Sequence, residues 1–239
     1  MPRFFCDDIS EERISITGND ARHIGRSLRM RLGDEITVCS QGVEYISKIL
    51  TISDEEVICE ITNKKPSENE ANISLTLFQA MPKADKLELI IQKSAELGVQ
   101  RVCPVLTARC VSRPDKKAFD KKLERLRRIA LEACKQSGRA KLVEITPLLS
   151  FEECIDKMQQ TDKALMCYEK GGISMSDAGL SAGQSISLLI GSEGGFDDAE
   201  ADLAKRSGIT LIGLGKRILR CETAPIAASS IIMHLTGNM

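Results

Sequence analysis

Two glycine-rich turns, each following a short apolar run, gather chemically capable residues between Leu188 and Ala228. The first is Gly191-Ser192-Glu193-Gly194-Gly195. The second is Gly213-Leu214-Gly215, which runs on into Lys216-Arg217-Ile218-Leu219-Arg220-Cys221-Glu222-Thr223. A strand that ends in glycine lets a ligand approach bare backbone. Two such ends close in sequence can wall one pocket at the carboxyl edge of a parallel sheet. Glu193, Arg220 and Glu222 crowd beside them, so the stretch predicts a ligand pocket with charged groups at hand. The usual phosphate loops are excluded. The fingerprint G-x-G-x-x-G is absent, and Gly215-Lys216 is followed by Arg217 where a P-loop needs Ser or Thr, with Thr210 in place of its first glycine. Two tight turns would explain either loop alone. The pair with its three charged neighbours favours a site.

The elements that must position these residues follow from periodicity. Arg13 to Ile61 is β-rich: Ile14-Ser15-Ile16 alternates, and Glu35–Cys39, Val43–Leu50 and Glu56–Ile61 are short runs divided by Gly or Asp turns. This predicts a small barrel of about five strands. Residues 63–71 are polar and contain a Pro, which suggests a linker. Beyond it strands and helices alternate. Ser74–Phe78 is a strand. Asp85–Leu97 is a helix with Leu87, Ile90, Ile91 and Ser94 on one face and Gly98 as its stop. Val102–Thr107 is a strand, and Phe119, Leu123, Leu126, Ala130 and Ala133 keep helical spacing up to Gly138. Leu165–Tyr168, Ser187–Ile190 and Thr210–Leu214 are further strands. Asp197 with Glu200 forms a capping-box signal for the next helix, which Gly208 ends. A last helix starts near Pro225, with Ile231, Ile232 and Leu235 as an apolar stripe for core or dimer contact. Alternating elements imply a mostly parallel sheet covered on both faces, hence an α/β domain over 71–239 after a β domain over 1–70.

Composition narrows the function. With 239 residues and 42% hydrophobic content the chain can bury a real core. Aromatics are 3% and Trp is absent, so extensive stacking on bases is not a mode open to it. A net charge of -1 excludes a protein that coats nucleic acid indiscriminately, and leaves local patches as the relevant feature. Arg22, Arg26, Arg29 and Arg31 form the better phosphate-binding candidate. The run from Lys116 to Arg128, followed by Lys135, Arg139 and Lys141, reads mostly as a solvated helix face. Nine cysteines without a Cys-x-x-Cys pair, and only His23 and His234, give no support to a zinc site or any other metal. Scattered cysteines, no leader-like opening and no membrane-length apolar run predict a cytoplasmic protein with no membrane association.

The C-terminal motifs Ile190-Gly191-Ser192-Glu193-Gly194-Gly195-Phe196 and Leu214-Gly215-Lys216-Arg217-Ile218-Leu219-Arg220-Cys221-Glu222-Thr223-Ala224 resemble the signature of the RsmE family of ribosomal RNA methyltransferases, members of the SPOUT superfamily. Met1-Pro2-Arg3-Phe4-Phe5, His23 with Leu28-Arg29, the segment Lys83–Val99 and Gln136-Ser137-Gly138-Arg139 are similar to other family elements, so the resemblance runs nearly end to end. Three positions depart from it. Ser192 stands where the family usually has Pro, Cys221 where it has Thr, and Thr107-Ala108-Arg109 where it often has Ser-Glu-Arg. The Ser192 change affects the rigidity of the first loop, because Pro would fix φ and remove a donor.

The resemblance implies a trefoil-knotted α/β methyltransferase domain behind a PUA-like β-barrel, working as a homodimer. It implies S-adenosylmethionine as donor, small-subunit ribosomal RNA as acceptor and N3-methyluridine as product. The donor's adenosine would lie on the backbone of Ile190, Gly191, Gly194, Gly195, Leu214, Gly215, Ile218 and Leu219. RNA contacts would come from Arg3, His23, Arg26, Arg29, Arg109 and Arg139. A uridine N3 is a poor nucleophile until its proton leaves. A carboxylate can take that proton, and an arginine can hold the charge that develops on a ring carbonyl. Arg220 is therefore the candidate for orienting the uracil or stabilising its anion, and Glu193 and Glu222 are the candidate bases. Capping of the last helix is an equal alternative for Glu222. A SPOUT enzyme acting on transfer RNA or a ribose oxygen, and a non-catalytic RNA-binding assembly factor, are the competing readings.

Overall fold

The computed structural model describes every residue, Met1–Met239. The chain forms two compact units, Met1–Glu70 with Cys134–Leu142, and Ala71–Ala133 with Val143–Met239. A boundary drawn only at residue 70 assigns Cys134–Leu142 to the second unit, but the chain returns this segment to the first. The cause is Glu70. Its carboxylate accepts the backbone N–H groups of Ala140 and Lys141 at 2.8 and 2.9 Å and pairs with Arg139 at 2.9 Å. The Gly42 N–H also donates to the Ala140 carbonyl, at 3.1 Å.

In the first unit, strands β1 (Arg3–Phe5), β2 (Arg13–Thr17), β3 (Glu35–Ser40), β4 (Val43–Ile52) and β5 (Glu56–Pro66) form one sheet in the order β1-β3-β4-β5-β2. Only the β1–β3 pairing is parallel. The small barrel of five strands is present as a half-barrel, with the terminal strands β1 and β2 unpaired. Two register shifts in the β4–β5 ladder, at Ile46/Ser47 and Ile49/Thr51, supply local bends. Strand β5 runs on to Pro66, so residues 63–66 are paired sheet and not linker. The Pro stands at the strand end, where a missing N–H is tolerated. A short helix α1 (Gly18–Arg22) continues into a π-helical turn, His23–Ser27. Phe4, Ile14, Ile16, Ile24, Ile36, Val38, Ile49 and Val57 make the core.

In the second unit the elements are β6 (Ser74–Ala80), α2 (Lys86–Glu96), β7 (Arg101–Leu106), α3 (Lys116–Gln136, whose last turn belongs to the first unit), β8 (Glu144–Ile145), β9 (Leu149–Ser150), α4 (Phe151–Met158), β10 (Lys163–Cys167), β11 (Ile173–Ser174), β12 (Ser185–Ile190), α5 (Asp198–Arg206), β13 (Thr210–Gly213) and α6 (Thr223–Leu235). All pairings are parallel, in the order β11-β13-β10-β12-β6-β7-β8 with β9 also beside β7. Central strands β6 and β12 are buried along nearly their whole length, as a sheet covered on both faces demands. Helix α4 escaped the periodicity reading, although Ser150 and Glu153 form the same reciprocal capping box that starts α5 at Asp197 and Glu200. Helix α6 starts at Thr223, two residues before Pro225. Ile232 is core, whereas Ile231 and Leu235 face outward. No helix is long and apolar enough to cross a membrane.

Candidate active site

Strand β10 lies between β13 and β12. Both glycine turns therefore leave the carboxyl ends of strands that flank β10, which is where open parallel sheets place ligands. Together with the segment after β10, residues 167–174, they wall a cavity of about 890 Å³. That falls within the roughly 300–1,000 Å³ of small-molecule sites. The third wall, with its Gly171-Gly172 pair, was missed. A glycine doublet shortly after a strand, four and five residues past Cys167, was the available signal.

The glycines do not all make room for a ligand. A Cβ on Gly191 would meet the Phe196 ring at 3.1 Å, and one on Gly194 the Arg109 side chain and carbonyl at 2.9 and 3.1 Å. On Gly195 it would meet the Glu169 carboxylate at 2.8 Å. These three glycines let the protein pack against itself while their backbone lines the cavity. Gly215 differs. It has φ +99° and open space where a Cβ would point, so here bare backbone faces the pocket.

Arg109 braces the first turn, donating to the Gly194 carbonyl at 3.2 Å. Its neighbour Ala108 donates its N–H to buried Glu200 at 2.7 Å, which ties the end of β7 to the start of α5. Ser192 donates its hydroxyl to the Arg109 carbonyl at 3.4 Å.

The charged residues form one arrangement around a residue the sequence reading passed over. Lys86, the first residue of α2, pairs with Glu193 and with Glu222, both at 3.0 Å. One ammonium thus ties the turn after β12 to the start of α6. Glu222 occupies the N-terminal position of α6, but its side chain makes no cap bond. Ion pairing with Lys86 replaces the capping alternative. Partial burial pushes the Glu193 carboxyl upward, but hydrogen bonds from its own N–H, Lys86, the Lys83 N–H and Cys221 prevail and hold it down to about 2. The Glu222 carboxyl is also lowered, chiefly by Lys86. Burial, then hydrogen bonds to Glu222 and Glu193, push the Cys221 thiol up to about 12, so it stays a protonated donor. Both expected bases are thus carboxylates engaged by Lys86 and held below their ordinary range. Arg220 lines the same cavity and is exposed.

The residues expected to touch RNA divide. His23, Arg26 and Arg29 are exposed in the first unit. His23 lays its ring at an angle to Phe4, Arg26 pairs with Asp54, and Arg29 holds φ +52°. Arg139 is corrected. It is 2% exposed and paired with Glu70, so it anchors its segment and offers nothing to phosphate. Arg3 is likewise turned inward, to Glu44 at 3.0 Å. Both pairs are local charge compensation that a reading by residue type does not reveal.

Residues 69–233 match the model of an RNA methyltransferase domain, and residues 16–62 that of an RNA methyltransferase PUA domain. The chain is similar to the ribosomal RNA small subunit methyltransferase E of Bacillus subtilis, 38% identical over 99% of this chain and 97% of that one. The structure resembles that of a ribosomal RNA small subunit methyltransferase E from Neisseria gonorrhoeae bound to S-adenosyl methionine, at 30% identity and TM-score 0.89 over 99% and 98% of the two chains. It also resembles a methyltransferase from Legionella pneumophila in complex with the bound cofactor SAM, at 27% identity and TM-score 0.88 over 98% and 97%. A PUA-type half-barrel joined to a parallel-sheet methyltransferase unit, with matches this complete, settles the kinship: the chain belongs to the ribosomal RNA small subunit methyltransferase E family.

Proposed function

We propose that this chain transfers the methyl group of S-adenosylmethionine to N3 of a uridine in small-subunit ribosomal RNA. The observation that carries the proposal is the cavity at the ends of β10, β12 and β13, with Arg220 at its wall and open backbone at Gly215. The residues present fit the donor. Ile190, Leu214, Ile218 and Leu219 give apolar walls between backbone donors and acceptors, as an adenosine needs. The Lys86–Glu193–Glu222 group carries one net negative charge, which suits a cationic sulfonium. When bound, the donor supplies an already activated methyl group.

The chain's residues supply positioning and charge. Arg220 holds the negative charge that appears on the uracil carbonyls as N3 loses its proton. Glu193 and Glu222, both engaged by Lys86, orient the two loops and do not collect that proton, which leaves to solvent. The rate of the chemical step therefore rises with pH across the neutral range towards the acidity of the uracil N3–H, without an inflection from a carboxylate. Single-turnover rates between pH 5 and 9 check this. A plateau that begins near pH 5 would make a carboxylate the base. Gly215→Val should abolish donor binding by calorimetry, because a branched side chain is strained at that φ and fills the open wall. Unchanged affinity would remove the second turn from the site.

Three further features belong to the same reading. The trefoil knot is supported by α6, which returns to pack on β12, α2 and the short turn at residues 175–178 after leaving the β13 loop. A homodimer is supported by exposed Leu89, Ile231 and Leu235 on the packed helices α2 and α6. Light scattering after gel filtration should give about twice 26.2 kDa. Residence in the cytoplasm is supported by nine unpaired cysteines, the state a reducing compartment maintains.

A further inference from the structure

Helix α3 carries a strongly charged surface that the pocket does not use. Residues 116–128 hold seven Lys and Arg against two acids, a surplus of five positive charges in a chain whose net charge is -1. The surplus is thus local and opposed to the overall composition. Phe119, Leu123, Leu126 and Ala130 are buried and define the packed face. At 100° per residue, Lys117, Lys121 and Arg128 fall on the opposite face, with Arg125 beside them. All four are exposed. Over the twelve residues from Lys117 to Arg128 they make a stripe about 16 Å long.

Asp120 lies three residues after Lys117, and Glu124 three after Lys121 and four before Arg128, yet neither pairs with the stripe. Lys117, Lys121 and Arg125 follow one another at i,i+4 spacing and repel. Lys117, Lys121 and Arg128 have no acid partner in the chain. Arg125 is the exception, and its partner gives the stripe a direction. Arg125 pairs at 2.8 Å with Glu88, in the first turn of α2. Two residues earlier in that turn lies Lys86, which lines the pocket. The cationic stripe therefore reaches the helix start that organises the active site.

We infer that this face of α3 is a phosphate-contact surface for the RNA whose base enters the pocket. The inference rests on the reading of ribosomal RNA as substrate. Lys117, Lys121 and Arg128 neutralise backbone phosphates and release counterions, while Arg125 keeps the stripe registered on α2. Such contacts supply affinity and orientation without reading sequence.

The test is the full-length triple variant K117Q/K121Q/R128Q, with small-subunit ribosomal RNA as probe and affinity measured against salt concentration. The slope of log affinity on log salt should fall in magnitude by about two to three. Methyl transfer should show a raised KM for RNA with kcat little changed, and calorimetric S-adenosylmethionine affinity should equal that of the parent, which also certifies the fold. An unchanged salt slope and unchanged KM would overturn the inference. So would normal binding to free RNA with weakened binding to the assembled subunit, which would assign the stripe to a ribosomal protein. If the parent binds RNA but methylates no small-subunit RNA, the substrate reading fails while the salt slopes still decide the role of the stripe.

Discussion

Arg220→Ala is expected to lower kcat for methyl transfer by about 10²–10³-fold, the usual loss when a single donor to a developing anion is removed. Affinity for S-adenosylmethionine should stay close to that of the parent. The two quantities separate because Arg220 is an exposed side chain on the cavity wall, whereas the proposed donor site is built from backbone and aliphatic groups. Arg220→Lys should recover only part of the rate, since a point charge replaces a planar fork. Equal loss of rate and donor affinity would instead make Arg220 a structural support of its loop. Single-turnover kinetics with parallel calorimetry distinguish these outcomes.

Lys86→Met is expected to be almost as damaging by a different route. One ammonium joins Glu193, in the turn after β12, to Glu222, at the start of α6. Without it two carboxylates face each other across the pocket and the loops move apart. A displacement of 1 Å in a positioning element costs about 100-fold in rate. Here kcat/KM should fall by that order, and donor affinity should fall with it, unlike in Arg220→Ala. Lys86→Arg should restore much of both. The pH dependence of stability gives a second readout. Glu193 has a carboxyl held down to about 2 from an ordinary 4.5, so its contribution is fully present above pH 4.5 and is lost as pH falls towards 2. Removing Lys86 takes away one of the groups holding it down, and acid unfolding should move to higher pH. An acid-unfolding curve superimposable on the parent's would show that the ion pairs contribute nothing.

Much of this was legible in the sequence, for physical reasons that differ by element. The α/β alternation after residue 71 could be read because buried strands such as β12 are continuous apolar runs, and helices such as α2 keep a 3.6-residue apolar period. The two glycine turns announced the pocket because glycine at a strand end has a local meaning. What escaped depended on tertiary approach. Nothing in the spacing of Lys86, Glu193 and Glu222 says that they meet, since 107 residues of chain separate the first two. Arg139 has the same type as a phosphate contact, and only the position of Glu70 turns it into an internal anchor. The glycines of the first turn looked like space for a ligand. Arg109 and Glu169, distant in sequence, and the neighbouring Phe196 occupy most of that space. The five-strand barrel was legible from its short runs and turns, whereas the open seam between β1 and β2 was not, because strand count alone does not fix sheet closure.

The central claim is the transfer of a methyl group to N3 of a uridine in small-subunit RNA. Its most direct measurement is to incubate the purified chain with methyl-labelled S-adenosylmethionine and unmodified small ribosomal subunits, digest the RNA to nucleosides, and identify the labelled product by mass spectrometry. Label is expected in N3-methyluridine alone, formed far more slowly with Arg220→Ala. Label on a ribose oxygen, on another base, or only on added transfer RNA would contradict it.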